Sequence, residues 1–399
     1  MRIKTLAELS IENKDVLVRV DYNVPLKDGK VGDDTRLQAS LPTIRRLLGP
    51  ARRVILMSHL GRPKGKRVPE MSLAPVAKVL EDLLGQPVRF APDCIGDEVQ
   101  AILKDPQTPR VVLLENLRYH PEETDNDEGF AAELAQWGSV YVNDAFGAAH
   151  RAHASTYAVA KLFKERGMGL LMEREVAALA SLLEAPRKPF AAILGGAKIS
   201  GKVDVVENLL PIAQHILIGG AMAFTFLRAR GLKTGLTLVE EDRIAMAGEL
   251  LEKAEASGVE LLLPIDAVLS QSAEKPQAVR TRPVEEIAGN EMAVDIGPKS
   301  TDLFRRTIMK AGTIFWNGPM GIFEVEEFSK GTLAVAQALA DATGGPLATT
   351  TVVGGGDSVA AIKKLGLADA MTHVSTGGGA SLEFIGGREL PGVEILEMN

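Results

Sequence analysis

Two lysines and an aspartate in the second half of the chain have the types and spacing to handle phosphate. The stretch GGAKISGKV, residues 195–203, follows the apolar run FAAIL and matches G-x-x-x-x-G-K through Gly196, Gly201 and Lys202. A P-loop would continue with Ser or Thr, whose hydroxyl holds Mg²⁺, but Val203 stands there. A helix starting near Lys198 would put Lys198 and Lys202 on one face, four residues apart, each able to reach a neighbouring phosphate. Val203 would then fall on the inward side of that helix. The missing oxygen ligand has a substitute in Asp357 of GGGDS, because Mg²⁺ accepts one or two carboxylates together with phosphate oxygens. The alternative for such a pair is a solvated helix face; its place directly after a glycine pair favours phosphate.

The first half carries a different set. VLVRVDYNVP offers Arg19, Asp21 and Asn23 at alternate positions, one face if extended. RVILMSHLGRP ends in His59 and Arg62, RVVLLENLRYH in Arg118 and His120, and VYVNDAFGAAHRAHAS in His150, Arg151 and His153; Arg36 follows in VGDDTR. Arginine presents a planar fork of donors that matches carboxylate and phosphate. A single basic residue after an apolar run means little, whereas four such junctions point to one anion site. Their spacing does not suit metal ligation.

These junctions must be positioned by something, and the pattern around them says what. Short apolar runs alternate with longer helical patterns along the whole chain, which predicts parallel sheets with helices on both faces. In such sheets ligands bind beyond the carboxyl ends of the strands. In the second half those ends are glycine-rich: FAAILGGAKIS, HILIGGAMAFTF, TIFWNGPMGIFE, TTTVVGGGDSVAAI and THVSTGGGASLEFI. Glycine allows close backbone approach, and a helix opening there turns free N–H groups toward an anion. Five such junctions favour a nucleotide site over ordinary tight turns. GLLMEREVAALASLLE (169–184) reads as an amphipathic helix connecting the halves.

Composition narrows the class. The 399 residues suffice for two cores, with 46% hydrophobic and 24% charged residues. A net charge of −7 argues against nucleic-acid or membrane-surface partners. The first residues lack a signal-peptide pattern, no run is long enough to span a bilayer, and Cys94 stands alone, so a cytoplasmic location is expected.

Taken in order, RVDYNVP, DDTR, SHLGRP, LLENLRYH, NDAFGAAHRAHAS, GGAKISGKV, GGAMAFTFL, FWNGPMGIFE, VGGGDS and STGGGASLEF resemble the phosphoglycerate kinase family over nearly the full length. The chain departs from it at Tyr22, where Phe is usual, and at Gly201, where Asp is common. The resemblance implies an α/β protein of two doubly wound parallel-sheet domains that close about a hinge. These are an N-terminal phosphoglycerate-binding domain over residues 1–170, a connecting helix over 171–186, a nucleotide-binding domain over 187–375, and a segment, 376–399, returning toward the first domain. It implies that Asp21, Asn23, Arg36, His59, Leu60, Gly61, Arg62, Arg118 and Arg151 contact 3-phosphoglycerate. Lys198, Lys202, Gly219, Gly297, Asn317, Glu324, Gly355, Gly356, Asp357 and Ser358 would contact ATP or ADP, with Asp357 on Mg²⁺ and Glu324 facing the ribose. Arg36, Lys198 and the amides at 377–379, Gly378 among them, would act on the transferred group. A monomer is implied.

Such a reaction needs no general base, which agrees with the lack of an evident His–Asp pair. Two rival readings stand beside it. A nicotinamide-dependent dehydrogenase wants G-x-G-x-x-G, but after the three G-x-G sequences at 167/169, 354/356 and 377/379 the third glycine position holds Met172, Val359 and Leu382. A non-catalytic anion-binding protein would not need Asp357 beside the lysines.

Overall fold

The computed structural model describes residues 3–397. The chain divides into two units: one runs through Val176 and resumes at Glu389, and the other comprises Ala177–Arg388. The expected connecting helix is Leu170–Glu184, which carries the boundary. Residues 376–388 group with the second unit, and the return to the first begins at Glu389.

Each unit is built on a six-stranded, wholly parallel sheet, as the alternating pattern predicts. In the first the spatial order is Val88–Phe90, Val111–Leu113, Arg53–Met57, Asp15–Arg19, Val140–Asn143, Arg166–Met168. The central strands are buried on both faces, which is why they read as continuous apolar runs. In the second the order is Glu260–Leu262, His215–Ile218, Phe190–Leu194, Thr313–Asn317, Thr350–Gly354, His373–Val374. By chain order that is 3-2-1-4-5-6, a doubly wound sheet whose direction of winding reverses between Phe190–Leu194 and Thr313–Asn317. The carboxyl ends of those two strands open onto GGAKISGKV and NGPMG.

The second unit holds one element the sequence pattern did not announce, an antiparallel three-stranded sheet of Asp266–Ser270 between Arg280–Pro283 and Met292–Ile296. Its outer strand RTRP is polar and partly exposed, so it lacks the apolar run that marked the others. The first unit is completed from the far end of the chain. Leu390, Val393 and Leu396 are buried, the Gly392 carbonyl accepts from Asn143 Nδ2 at 3.0 Å, and a Cβ at Gly392 would stand 2.9 Å from Ala149 Cα.

Candidate active site

In the first unit the strand Asp15–Arg19 delivers a guanidinium below the site rather than into it. Arg19 is fully buried and donates to Ser155 Oγ (2.8 Å) and to His59 Nδ1 (3.0 Å), with Glu123 Oε1 at 4.0 Å. Glu123, also fully buried, accepts from the Ser155 hydroxyl (2.6 Å) and amide (2.9 Å). Since arginine can only donate, His59 Nδ1 accepts and the ring proton sits on Nε2. Burial, then Arg19 and Arg118, push His59 well below its ordinary pKa; burial and the same arginines push His153 down to about 4. Both imidazoles are therefore neutral at pH 7.

Above this layer the expected residues interlock. Arg36, the second residue of the helix Thr35–Leu48, donates to Asp21 Oδ2 (2.8 Å) and to the Asn23 carbonyl (3.2 Å). Asn23 Oδ1 accepts from the Gly61 amide at 2.9 Å, and the Gly61 carbonyl accepts from Arg118 Nη1 at 2.8 Å. Gly61 has φ +64°, a left-handed conformation that favours glycine, and a Cβ there would stand 2.8 Å from Met71 Sδ, so the methionine side chain would have to shift. Leu60 is buried and exchanges two backbone bonds with the Asn116 side chain (3.0 and 2.7 Å). Arg118 is lowered to about 10 by burial and by Arg19. Its Nε is buried with no protein acceptor, a donor left for a ligand. Arg62 and Arg151 are exposed, and Arg151 Nε donates to His150 Nε2 at 3.2 Å. His120 turns aside, bonded to Asp93 (2.7 Å) and stacked on Phe130.

In the second unit the two lysines do not share a helix face. The helix is Val203–Leu209 with Lys202 as its N-cap, and residues 196–202 form turns. Gly201 has little helical preference, and the amides of Ile199 and Ser200 both donate to Glu240 (2.6 and 3.1 Å), a side chain that holds the turn ahead of the helix. Lys202 is half-buried and donates to Asn317 Oδ1 at 3.0 Å, joining the two strand ends at the winding reversal. Burial lowers its pKa, and Asp357 opposes that. Lys198 is exposed, and Val203 is half-buried at the first helical position.

A cleft of about 530 Å³ lies beside this loop. Gly196, Ala197, Glu324 and Asp357 line it, and its walls are Phe224, Leu236, Leu238, Met292, Val294 and Ile322. An apolar pocket of that volume with few polar groups suits a flat aromatic ligand. Gly297 and Gly219 lie outside the lining: Gly297 caps the helix Pro298–Ile308 against Asp266, and Gly219 packs against Met320 Sδ. Asp357 is exposed on the first turn of the helix Gly356–Lys364; Gly355 before it has φ +88°. Ser358 is buried, its Oγ accepting from the Gly318 amide at 2.6 Å. Gly378 opens the helix Gly378–Ile385.

Sequence reasoning missed Asn116, Glu123, Glu240 and the apolar walls of the cleft. Asn116 had a signal, being a polar residue just after an apolar run; Glu123, in PEE, and Leu236 and Leu238, in an irregular segment, had none.

The family model described as phosphoglycerate kinase matches residues 6–388. The phosphoglycerate kinase of Chloroherpeton thalassium is 53% identical over 396 residues, covering 99% of both chains. That of Rubrobacter xylanophilus is 53% identical over 393 residues, 98% of both. Among solved structures, phosphoglycerate kinase from Coxiella burnetii superposes with a TM-score of 0.87 at 40% identity, covering 99% of both chains. The enzyme from Pyrococcus horikoshii OT3 gives 0.85 at 34% identity, covering 98% of both.

Proposed function

We propose that this chain, which belongs to the phosphoglycerate kinase family, divides its reaction between its two units. The reaction is reversible phosphoryl transfer between 1,3-bisphosphoglycerate and ADP, giving 3-phosphoglycerate and ATP in glycolysis. The first unit binds the phosphoglycerate. Arg62, Arg118 and Arg151 hold its non-reacting phosphate, and Asp21, Asn23, His59 and the backbone at Leu60 and Gly61 hold its glycerate. The observation that carries this assignment is the buried, unpaired Nε of Arg118 beside two neutral histidines: a site with spare positive charge and spare donors.

The second unit binds the nucleotide. The apolar cleft takes the base, Glu324 the ribose, and Lys202, Asn317 and residues 355–358 the phosphates. Asp357 is an exposed carboxylate at a helix N-terminus beside the cleft. Among the described residues, no cluster of three ligating side chains gathers around it. That donor set fits Mg²⁺, which completes its shell with phosphate oxygens and water. When bound, the ion neutralises charge on the phosphates. Lys198, Arg36 and the amides at 377–379 stabilise the oxygens of the group in transit. The acceptor carboxylate carries no proton at pH 7, so neutral His59 and His153 bind and orient without moving protons. Arg36 and Lys198 stand on different units, so a hinge motion closes the units before in-line transfer. The enzyme works as a monomer and in the cytoplasm, the location being supported by a single, buried cysteine, Cys94.

The testing experiment is ATP turnover with 3-phosphoglycerate, with and without Mg²⁺, in wild type and Arg36→Ala. Turnover that needs Mg²⁺ and falls about 10²–10³-fold in the variant is expected; metal-independent turnover, or an unaffected variant, overturns the assignment.

A further inference from the structure

The loop that carries Lys198 is held by a residue to which the reaction above gives no role. The amides of Ile199 and Ser200 converge on one oxygen of Glu240, at 2.6 and 3.1 Å. Consecutive N–H groups aimed at one oxygen form a concave anion nest, and here the protein fills its own nest with a carboxylate. Glu240 is itself anchored. Its amide donates to Thr225 Oγ1 at 3.3 Å, and Thr225 is buried on the helix Met222–Ala229. Partial burial raises its pKa, but the bonds from Ser200 and Ile199 and the charge of Lys198 outweigh that and hold the carboxyl below its ordinary value.

The consequence for the loop is specific. With two amides turned toward Glu240, the chain makes a single turn, closed by Lys202 N–H to the Ile199 carbonyl at 2.8 Å, before the helix starts at Val203. Ile199 is buried and acts as a pin, leaving Lys198 exposed on one side of it and Lys202 on the other, fastened to Asn317. Without the carboxylate, the amides of Ile199 and Ser200 would turn to water, and Lys198 would lose its fixed starting point.

We propose that Glu240 is a positioning residue for phosphoryl transfer: its carboxylate fixes the turn at residues 199–202 so that the Lys198 ammonium is pre-set for the group in transit. This rests on the role given to Lys198 above. Misplacing such a group by about 1 Å costs up to about 10²-fold in rate, whereas loss of a half-exposed carboxylate costs a fold little.

The test is steady-state kinetics and thermal melting of Glu240→Ala, Glu240→Gln, Lys198→Ala and the double variant Glu240→Ala/Lys198→Ala. Glu240→Ala is expected to lower kcat by about 10-fold to 10²-fold, with KM for 3-phosphoglycerate and the melting temperature nearly unchanged. Glu240→Gln, whose amide oxygen still accepts both N–H groups, should recover most of kcat. In the Lys198→Ala background the further change should add little, because the group being positioned is gone. Wild-type kcat in Glu240→Ala beside an inactive Lys198→Ala overturns this inference alone. Full multiplicative loss in the double variant does the same, since Glu240 would then act independently of Lys198. Wild-type turnover in Lys198→Ala overturns the role of that lysine and this inference with it.

Discussion

Arg118 concentrates several forces in one side chain. It is partly buried, flanked by other arginines, bonded once to the Gly61 carbonyl, and keeps an unpaired buried Nε. A ligand phosphate relieves the like-charge crowding and the orphan donor together. Arg118→Ala should therefore raise KM for 3-phosphoglycerate by about 10-fold to 10²-fold, the worth of a charge-assisted hydrogen bond. Its kcat should change much less, because a non-reacting phosphate is held alike in ground and transition states. Calorimetric titration with ATP alone should give wild-type affinity; a weakened value would place Arg118 elsewhere. The arginines were legible as residue types at strand ends. Their support was not: Arg19 reads from the sequence as one of an alternating series with Asp21 and Asn23, yet the strand ends at Arg19 and the side chain goes under the site to Glu123 and Ser155. That pairing joins positions more than a hundred residues apart, which no local pattern encodes.

Glycines 61 and 201 show why a motif letter is weaker than a conformation. Gly201 has ordinary backbone angles and open space where a Cβ would go, whereas Gly61 is left-handed with Met71 Sδ at 2.8 Å from that point. Gly201→Ala should raise stability by about 0.4–1 kcal/mol through a less flexible unfolded chain and keep activity. Gly61→Ala should lower both stability and phosphoglycerate affinity; melting curves with and without 3-phosphoglycerate distinguish the two. Val203→Thr should leave Mg-ATP affinity unchanged, because residue 203 is the first of its helix and the metal carboxylate is assigned to Asp357; tighter metal-dependent binding would revive the P-loop. The early helix start expected at Lys198 failed at Gly201, and Glu240, which holds the turn found there instead, lies some forty residues later, out of reach of local spacing. Another element end gives a pH prediction. Asp144 accepts from the amides of Leu171 and Met172 at the start of Leu170–Glu184, and burial raises it to about 7. A raised folded pKa means the proton is bound more tightly in the native state. The stabilisation is full below the unfolded value near 4 and is lost as pH rises through about 7. Asp144→Asn should flatten the fall in melting temperature between pH 4 and pH 7.

At the scale of the molecule, the two parallel sheets were legible because buried strands must be apolar throughout, and their carboxyl ends had to gather the arginines in one unit and the glycines in the other. The antiparallel sheet around Asp266–Ser270 was not, since its outer strand RTRP is polar and partly exposed and the strand DAVLS is polar at both ends. The units also differ in how their chain is assembled. Ala177–Arg388 is one uninterrupted run, whereas the first unit needs residues from both ends. At about 5–20 residues per second, a ribosome takes roughly 10–40 s to make the intervening 210 or so residues. Through that interval the half made first still lacks Leu390, Val393 and Leu396, while the half made later becomes complete before it. Order of birth and order of completion are thus reversed, and the nascent phosphoglycerate-binding half waits unfinished, in need of shelter, until the last stretch of chain emerges.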